Sequence, residues 1–179
     1  MTEIAYLLIG SNMNDREEML LKALDAISGY INTEEIKVSS LYETEPVGIG
    51  SEDVLQDFLN TVVAVRTDLN PFTLLKLIQE TEYELGRIRH EPSHVKHSRI
   101  IDIDILLFGE RIIFTRNLII PHPELHERRF VLEPLSEIAG NMIHPLFNLT
   151  ICEIKNMNTD KHYVKPYSSN KGARWPLKN

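Results

Sequence analysis

The chain has 179 residues, 42% of them hydrophobic, with a formal net charge of -7 and one cysteine, Cys152. That size and apolar content suffice for one domain with a buried core, the acidic balance argues against a general nucleic-acid coat, and a lone cysteine excludes an intramolecular disulfide, as suits a reducing cytoplasm. No basic leader opens the chain and no apolar run reaches the roughly 18–20 residues of a membrane span, so a cytoplasmic protein without membrane or nucleic-acid partners is expected.

Ile4 to Ile9 predicts a first strand, ended by the turn-forming triplet Gly10-Ser11-Asn12. Asp15 and Glu18 form a capping-box pattern ahead of Leu20, Leu24, Ile27 and Ile31, which recur at helical spacing. Ile36 to Tyr42 and Phe58 to Thr67 predict two further strands, separated by a long connection rich in acids and turn formers. Asn70-Pro71 starts a second helix whose inner face is Leu75, Ile78 and Leu85, and Gly86 stops it. An irregular basic segment, Gly86 to Arg99, leads into a strand with the sequence RIIDIDILLF. Gly109-Glu110 turns into Ile112 to Thr115, and short helical pieces follow Pro121-His122-Pro123, with Thr150 and Glu153 capping the last. The chain is polar from Lys155, so a single domain over 1–160 with a tail over 161–179, fraying or lying along the surface, is expected. Strands and helices without a βαβ rhythm predict an α+β fold, an antiparallel or mixed sheet covered by helices.

Two acids inside an otherwise apolar strand carry the chemistry. Side chains alternate along a strand, so Asp102 and Asp104 share a face at roughly 6–7 Å separation and need a compensating partner. Flanking isoleucines and leucines argue against a solvated edge, and hard oxygen ligands in small number suit magnesium, with water and phosphates completing its shell. Arg87, Arg89 and Arg99 bring forked donors suited to phosphate, on a segment able to act as a lid. His90, His94 and His97 lack the cysteines and the regular spacing of a zinc site. Phe58 and Asn60 alternate onto one face, where an aromatic plane and an amide can act on one planar ligand. Gln79 and Glu82 lie one helical turn apart and are expected to face the same side. His122 is presented between two prolines, and Gly10-Ser11-Asn12 lacks the ending of a P-loop.

In order, GSNMNDR, YETEPVG, FLN, QETEYELGR, RIIDIDILLFG and IPHPELHERRFVLEPL closely resemble the 6-hydroxymethyl-7,8-dihydropterin pyrophosphokinase family, from about Ile4 to Ile138. The resemblance implies a ferredoxin-like α/β sandwich with a mostly antiparallel sheet, and transfer of diphosphate from ATP to the pterin's hydroxymethyl group, releasing AMP, in folate biosynthesis. It implies two magnesium ions on Asp102 and Asp104, and a pterin site of Thr44, Pro46, Val47, Phe58, Asn60 and Phe130, with Phe58 and Phe130 sandwiching the ring. It places Gln79, Arg89, Arg99, His122 and Arg128 near ATP, Glu82 beside them, and Arg87 and Arg99 in turnover. The family's loop commonly reads R-W-G-P-R ahead of the acidic strand; here the run is HEPSHVKHSR, Arg99 keeps its place and the only tryptophan is Trp175. Competing readings are a metal-dependent phosphodiesterase or nucleotidyltransferase, which needs the acids but no aromatic clamp, and a non-catalytic ligand sensor. A monomer is expected, with oligomers left open.

Overall fold

A computed structural model describes residues 2–30, 36–46, 56–87 and 98–169. Glu3–Ser11 (β1) lies at the centre of the sheet, paired antiparallel along its whole length with Phe58–Thr67 (β4) and on its other edge with Asp102–Phe108 (β5). The far edge of β4 takes two short strands in succession, Ile36–Val38 (β2) against Val63 to Val65 and Tyr42–Thr44 (β3) against Phe58 to Asn60. Val164–Pro166 (β8) closes the edge beyond β3, giving a six-stranded sheet in the order β5-β1-β4-β3-β8 with β2 beside β4. A small hairpin, Ile113–Phe114 (β6) with Ile119–Ile120 (β7), stands apart. Helices Arg16–Tyr30 (α1) and Pro71–Glu84 (α2) cover one face, and Arg129–Ala139 (α3) and Ile151–Met157 (α4) cover the other. This is the α+β, ferredoxin-like arrangement expected, with every strand pairing in the sheet antiparallel.

Local chemistry explains the boundaries. The Asp15 carboxylate accepts the Glu18 amide at 3.1 Å at the start of α1. Asn70 accepts the Phe72 and Thr73 amides, both at 3.0 Å, at the start of α2, and Gly86 leaves that helix at φ +93°, where a Cβ would be strained. Thr150 and Glu153 complete the expected capping box of α4. The single strand expected over 36–42 is instead two, because the Ser39 hydroxyl takes the Val62 amide at 3.0 Å and interrupts the backbone ladder. The first strand runs past Ile9 to Ser11, since Gly10 and Ser11 keep register with Asn60 and Leu59. The tail expected over 161–179 is not loose at its start: β8 belongs to the sheet, so the fold continues beyond the boundary placed at 160.

The two faces of the sheet are both packed. Ala5, Leu7 and Ile9 meet Leu20, Leu24 and Ile27 of α1 and Leu74 and Ile78 of α2 in one buried cluster. Leu8, Val62 and Leu106 meet Val131, Leu132 and Leu135 of α3 and Ile151 and Ile154 of α4 in the other. Each such leucine contributes roughly 2 kcal/mol on burial. A register shift between Tyr6 and Leu7 turns both Leu106 and Leu107 toward α3 and α4.

Candidate active site

Alternation along β5 puts Asp102 and Asp104 on the α3-facing side of the sheet, beyond the end of the apolar cluster at Leu106. The Asp102 carboxylate is gripped by two arginines: Arg87 lies 2.5 Å from one oxygen, and Arg99 pairs with the other. Arg87 also pairs with Glu82, whose buried carboxylate accepts the Ile103 amide at 2.8 Å and so ties α2 to the acidic strand. Burial works against the charge on Arg87, but Asp102 and Glu82 outweigh it and raise its pKa. Asp104 has the opposite balance. Burial, and then the neighbouring carboxylates Asp102 and Glu82, push it up to about 7 against the opposing pull of Arg128 and Arg99.

Two hard carboxylates on one side, one of them short of compensating charge, fit a divalent cation. Among the described residues no three His, Cys, Asp or Glu side chains gather into a fuller metal-binding set. A cation here would therefore take most of its shell from water and ligand oxygens.

Across β1, the direct partners of Gly10 are Asp102 on one side and Asn60 on the other. Strands lie about 4.8 Å apart, so the acid and the amide stand roughly 10 Å from each other with no side chain between them. A Cβ on Gly10 would fall 2.3 Å from Asn60 Oδ1. Asn60 is buried and donates from Nδ2 to the Thr44 hydroxyl at 2.8 Å, which fixes the amide. Thr44 sits opposite Phe58 in the ladder, and Phe58 and Pro46 are both half-buried at this end. Phe130, in the first turn of α3, packs against the second core cluster with the Arg128 guanidinium 5.6 Å from its ring centre. Arg128 also pairs with Glu124. His122 is held by its backbone, its amide donating to Leu106 at 2.9 Å, while its Nδ1 accepts the Glu124 amide at 3.2 Å. Burial and then Arg128 lower its pKa, which favours a neutral ring with the proton on Nε2.

The structure thus gathers Asp102, Asp104, Arg87, Arg99 and Glu82 in one group and joins Thr44 to Asn60 on the same side of the sheet. It does not bring Gln79 to the carboxylates: Gln79 is exposed beside Lys76, Glu80 and Tyr83, whereas Glu82 is buried, so the two do not share a face as expected. A three-residue step turns a helix about 300°, and the core boundary falls within the remaining arc. Val47, Arg89 and the loop histidines lie outside the described residues.

Two contributors escaped sequence reasoning. Gly10 reads as a turn residue until the register shows it between Asn60 and Asp102. Asn12, also read as a turn former, is buried and exchanges hydrogen bonds with Arg99, its Oδ1 accepting the Arg99 amide at 2.6 Å and its amide donating to the Arg99 carbonyl at 3.1 Å. Its Nδ2 donates to the Gln56 carbonyl at 3.2 Å, so one side chain joins the approach to β4 with the approach to β5. Both residues lie in the GSNMNDR motif, but the local signal of their roles was no more than a polar pair directly after a long apolar strand.

The model of the family described as 7,8-dihydro-6-hydroxymethylpterin-pyrophosphokinase (HPPK) matches residues 6–140. A Bacillus subtilis 2-amino-4-hydroxy-6-hydroxymethyldihydropteridine pyrophosphokinase is 49% identical over 174 residues, covering 97% of this chain and 95% of its own. The Haemophilus influenzae protein of the same name is 38% identical, covering 90% of this chain and 96% of its own. A Pneumocystis carinii folic acid synthesis protein is also 38% identical over 92% of this chain, which spans only 21% of that longer protein. A crystal structure of Plasmodium falciparum HPPK-DHPS superposes with a TM-score of 0.68 at 19% identity, over 88% of this chain and 45% of that one, and supports the fold. With most of its length matched, the chain belongs to the 7,8-dihydro-6-hydroxymethylpterin-pyrophosphokinase family.

Proposed function

We propose that the chain transfers diphosphate from ATP to the hydroxymethyl oxygen of 6-hydroxymethyl-7,8-dihydropterin, releasing AMP, as a step of folate synthesis. The family match and the relatives' names support the activity. The observation that carries the site is the register of three strands, Asp102 opposite Gly10 opposite Asn60, which sets an anion-handling group and a planar-ligand group about 10 Å apart on one side of the sheet.

In this reading Asp102 and Asp104 hold two magnesium ions. Bound there, magnesium neutralises phosphate charge and makes the β-phosphorus a better electrophile. Arg87 and Arg99 exchange their carboxylate partners for phosphate oxygens, and Arg89 and Arg128 add further guanidinium donors. Neutral His122 donates from Nε2 to the nucleotide, and Gln79 is retained near ATP only through the family resemblance. Asn60, held by Thr44, reads the polar rim of the pterin, while Phe58 and Phe130 supply its apolar faces, with Pro46 and Val47 at the border. The oxygen–phosphorus bond to the pterin forms in line as the bond to AMP breaks, so these side chains act by orientation and by charge compensation. The protein works in the cytoplasm as a monomer, without a nucleic-acid or membrane partner; among the described residues no helix is long and apolar enough to cross a membrane.

The test is AMP formation from ATP and magnesium with and without hydroxymethyldihydropterin. Pterin-dependent AMP is expected. Nucleotide hydrolysis that ignores the pterin overturns the proposal in favour of a phosphodiesterase or nucleotidyltransferase.

A further inference from the structure

The helix that carries Arg128 and Phe130 begins without a side-chain cap of its own, since its N-cap residue is Arg128. The missing acceptor comes from far along the chain. Asp160 Oδ2 accepts the Arg129 amide at 2.9 Å, and a carboxylate at that end also complements the helix dipole. Asp160 is itself fixed, donating its amide to Asn158 Oδ1 and accepting the His162 amide at Oδ1, both at 3.0 Å. Asn158 Nδ2 donates to the His126 carbonyl at 3.0 Å, holding the same loop from its other side.

Three residues on, Tyr163 makes two more long-range bonds. Its amide donates to Glu45 Oε1 at 2.6 Å, and its hydroxyl donates to the Asp57 carboxylate. Val164 then pairs directly with Thr44 in the sheet. The anchored positions are not scattered. Arg129 lies between Arg128 and Phe130, Asp57 precedes Phe58, and Glu45 lies between Thr44 and Pro46. The bonds from Asp160 to Arg129 and from Tyr163 to Glu45 and Asp57 each land next to a residue assigned above to the pterin or the nucleotide.

We infer that Asn158 to Val164 is a brace for the pterin pocket, in which Asp160 and Tyr163 are positioning residues that fix α3 and the entrance to β4 at a set separation. It lies beyond residue 140, where the family model's match ends. A flat ligand held between two aromatic rings is sensitive to the gap between them, and a displacement near 1 Å is enough to weaken binding. The inference rests on the pterin reading proposed above.

The experiment measures binding of hydroxymethyldihydropterin, in the presence of a nonhydrolysable ATP analogue, and of the analogue alone, to the full chain. Tyr163→Phe removes one hydroxyl and is expected to weaken the pterin by about tenfold while leaving the ATP analogue within about twofold. Asp160→Ala is expected to weaken both, because Arg128 and Phe130 move together, and Asp160→Asn, which keeps an acceptor oxygen, is expected to restore most of the loss. Wild-type protein without pterin affinity overturns the proposed function and this inference with it. Wild-type pterin affinity in both Tyr163→Phe and Asp160→Ala overturns the inference alone, as does an equal loss of both ligands in Tyr163→Phe with a lowered Tm, which assigns the segment to stability only.

Discussion

The two faces of the sheet use the same strands for different ends. On the side of α1 and α2, β1 presents Ala5, Leu7 and Ile9 without interruption, and β4 and β5 answer with Leu59, Val63, Val65, Ile103 and Ile105. On the side of α3 and α4, the apolar stretch covers Leu8, Val62, Leu106 and Leu107, and the next positions outward are Gly10, Asn60, Asp104 and Asp102. Continuous packing on one side holds strand register; stopping short on the other leaves polar groups at spacings that the register sets. The carboxylates are thus positioned by hydrophobic contacts made behind them.

Substitutions on the two sides should separate activity from stability. The largest effect is expected from Asp102→Ala, with kcat down by about a thousandfold or more and thermal stability largely kept; a variant with near-normal turnover removes the polar side from the chemistry. Leu7→Ala, at a fully buried position behind the site, is expected to cost about 3 kcal/mol in denaturant unfolding, with kcat per folded molecule little changed. Gly10→Ala joins the two sides. The new methyl meets Asn60 Oδ1, so the amide must turn away from Thr44, and pterin affinity should fall by about tenfold with a stability cost near 1 kcal/mol.

The smallest effect lies away from the site, at the turn between α3 and α4. Burial, followed by the proximity of His126, lowers His144 to about 4, and its Nδ1 accepts the Leu146 amide at 3.3 Å. The unfolded chain takes up this proton near pH 6.5 and the folded one only near 4, so stability is lost as pH falls through that window. His144→Asn should therefore show about 1 kcal/mol less acid destabilisation between pH 7 and 4.5 than wild type, measured by urea unfolding at both pH values.

Much of this was readable before any fold was known, and for definite reasons. A period of two places Asp102 beside Asp104 whatever the sheet looks like, and Asn70, Gly86 and Thr150 announce helix ends through their own backbone chemistry. What stayed hidden depends on partners far away in sequence. The role of Gly10 needs the pairing of three strands, Glu82 needs to be seen accepting an amide from β5, and Asp160 caps a helix that starts 31 residues earlier. Ser39 likewise breaks a strand only because Val62 lies opposite its hydroxyl.

The way the sheet ends at its flanks bears on self-association. An unpaired strand is a template for another molecule's backbone. At one flank the outermost strand is three residues long and carries a lysine and a proline, the latter with no amide to donate. At the other, the His122 amide already occupies the Leu106 carbonyl of β5. These flanking segments therefore also blunt edge-to-edge growth, and losing β8 would uncover Tyr42 to Thr44 as a fresh docking rail for a neighbour's strand.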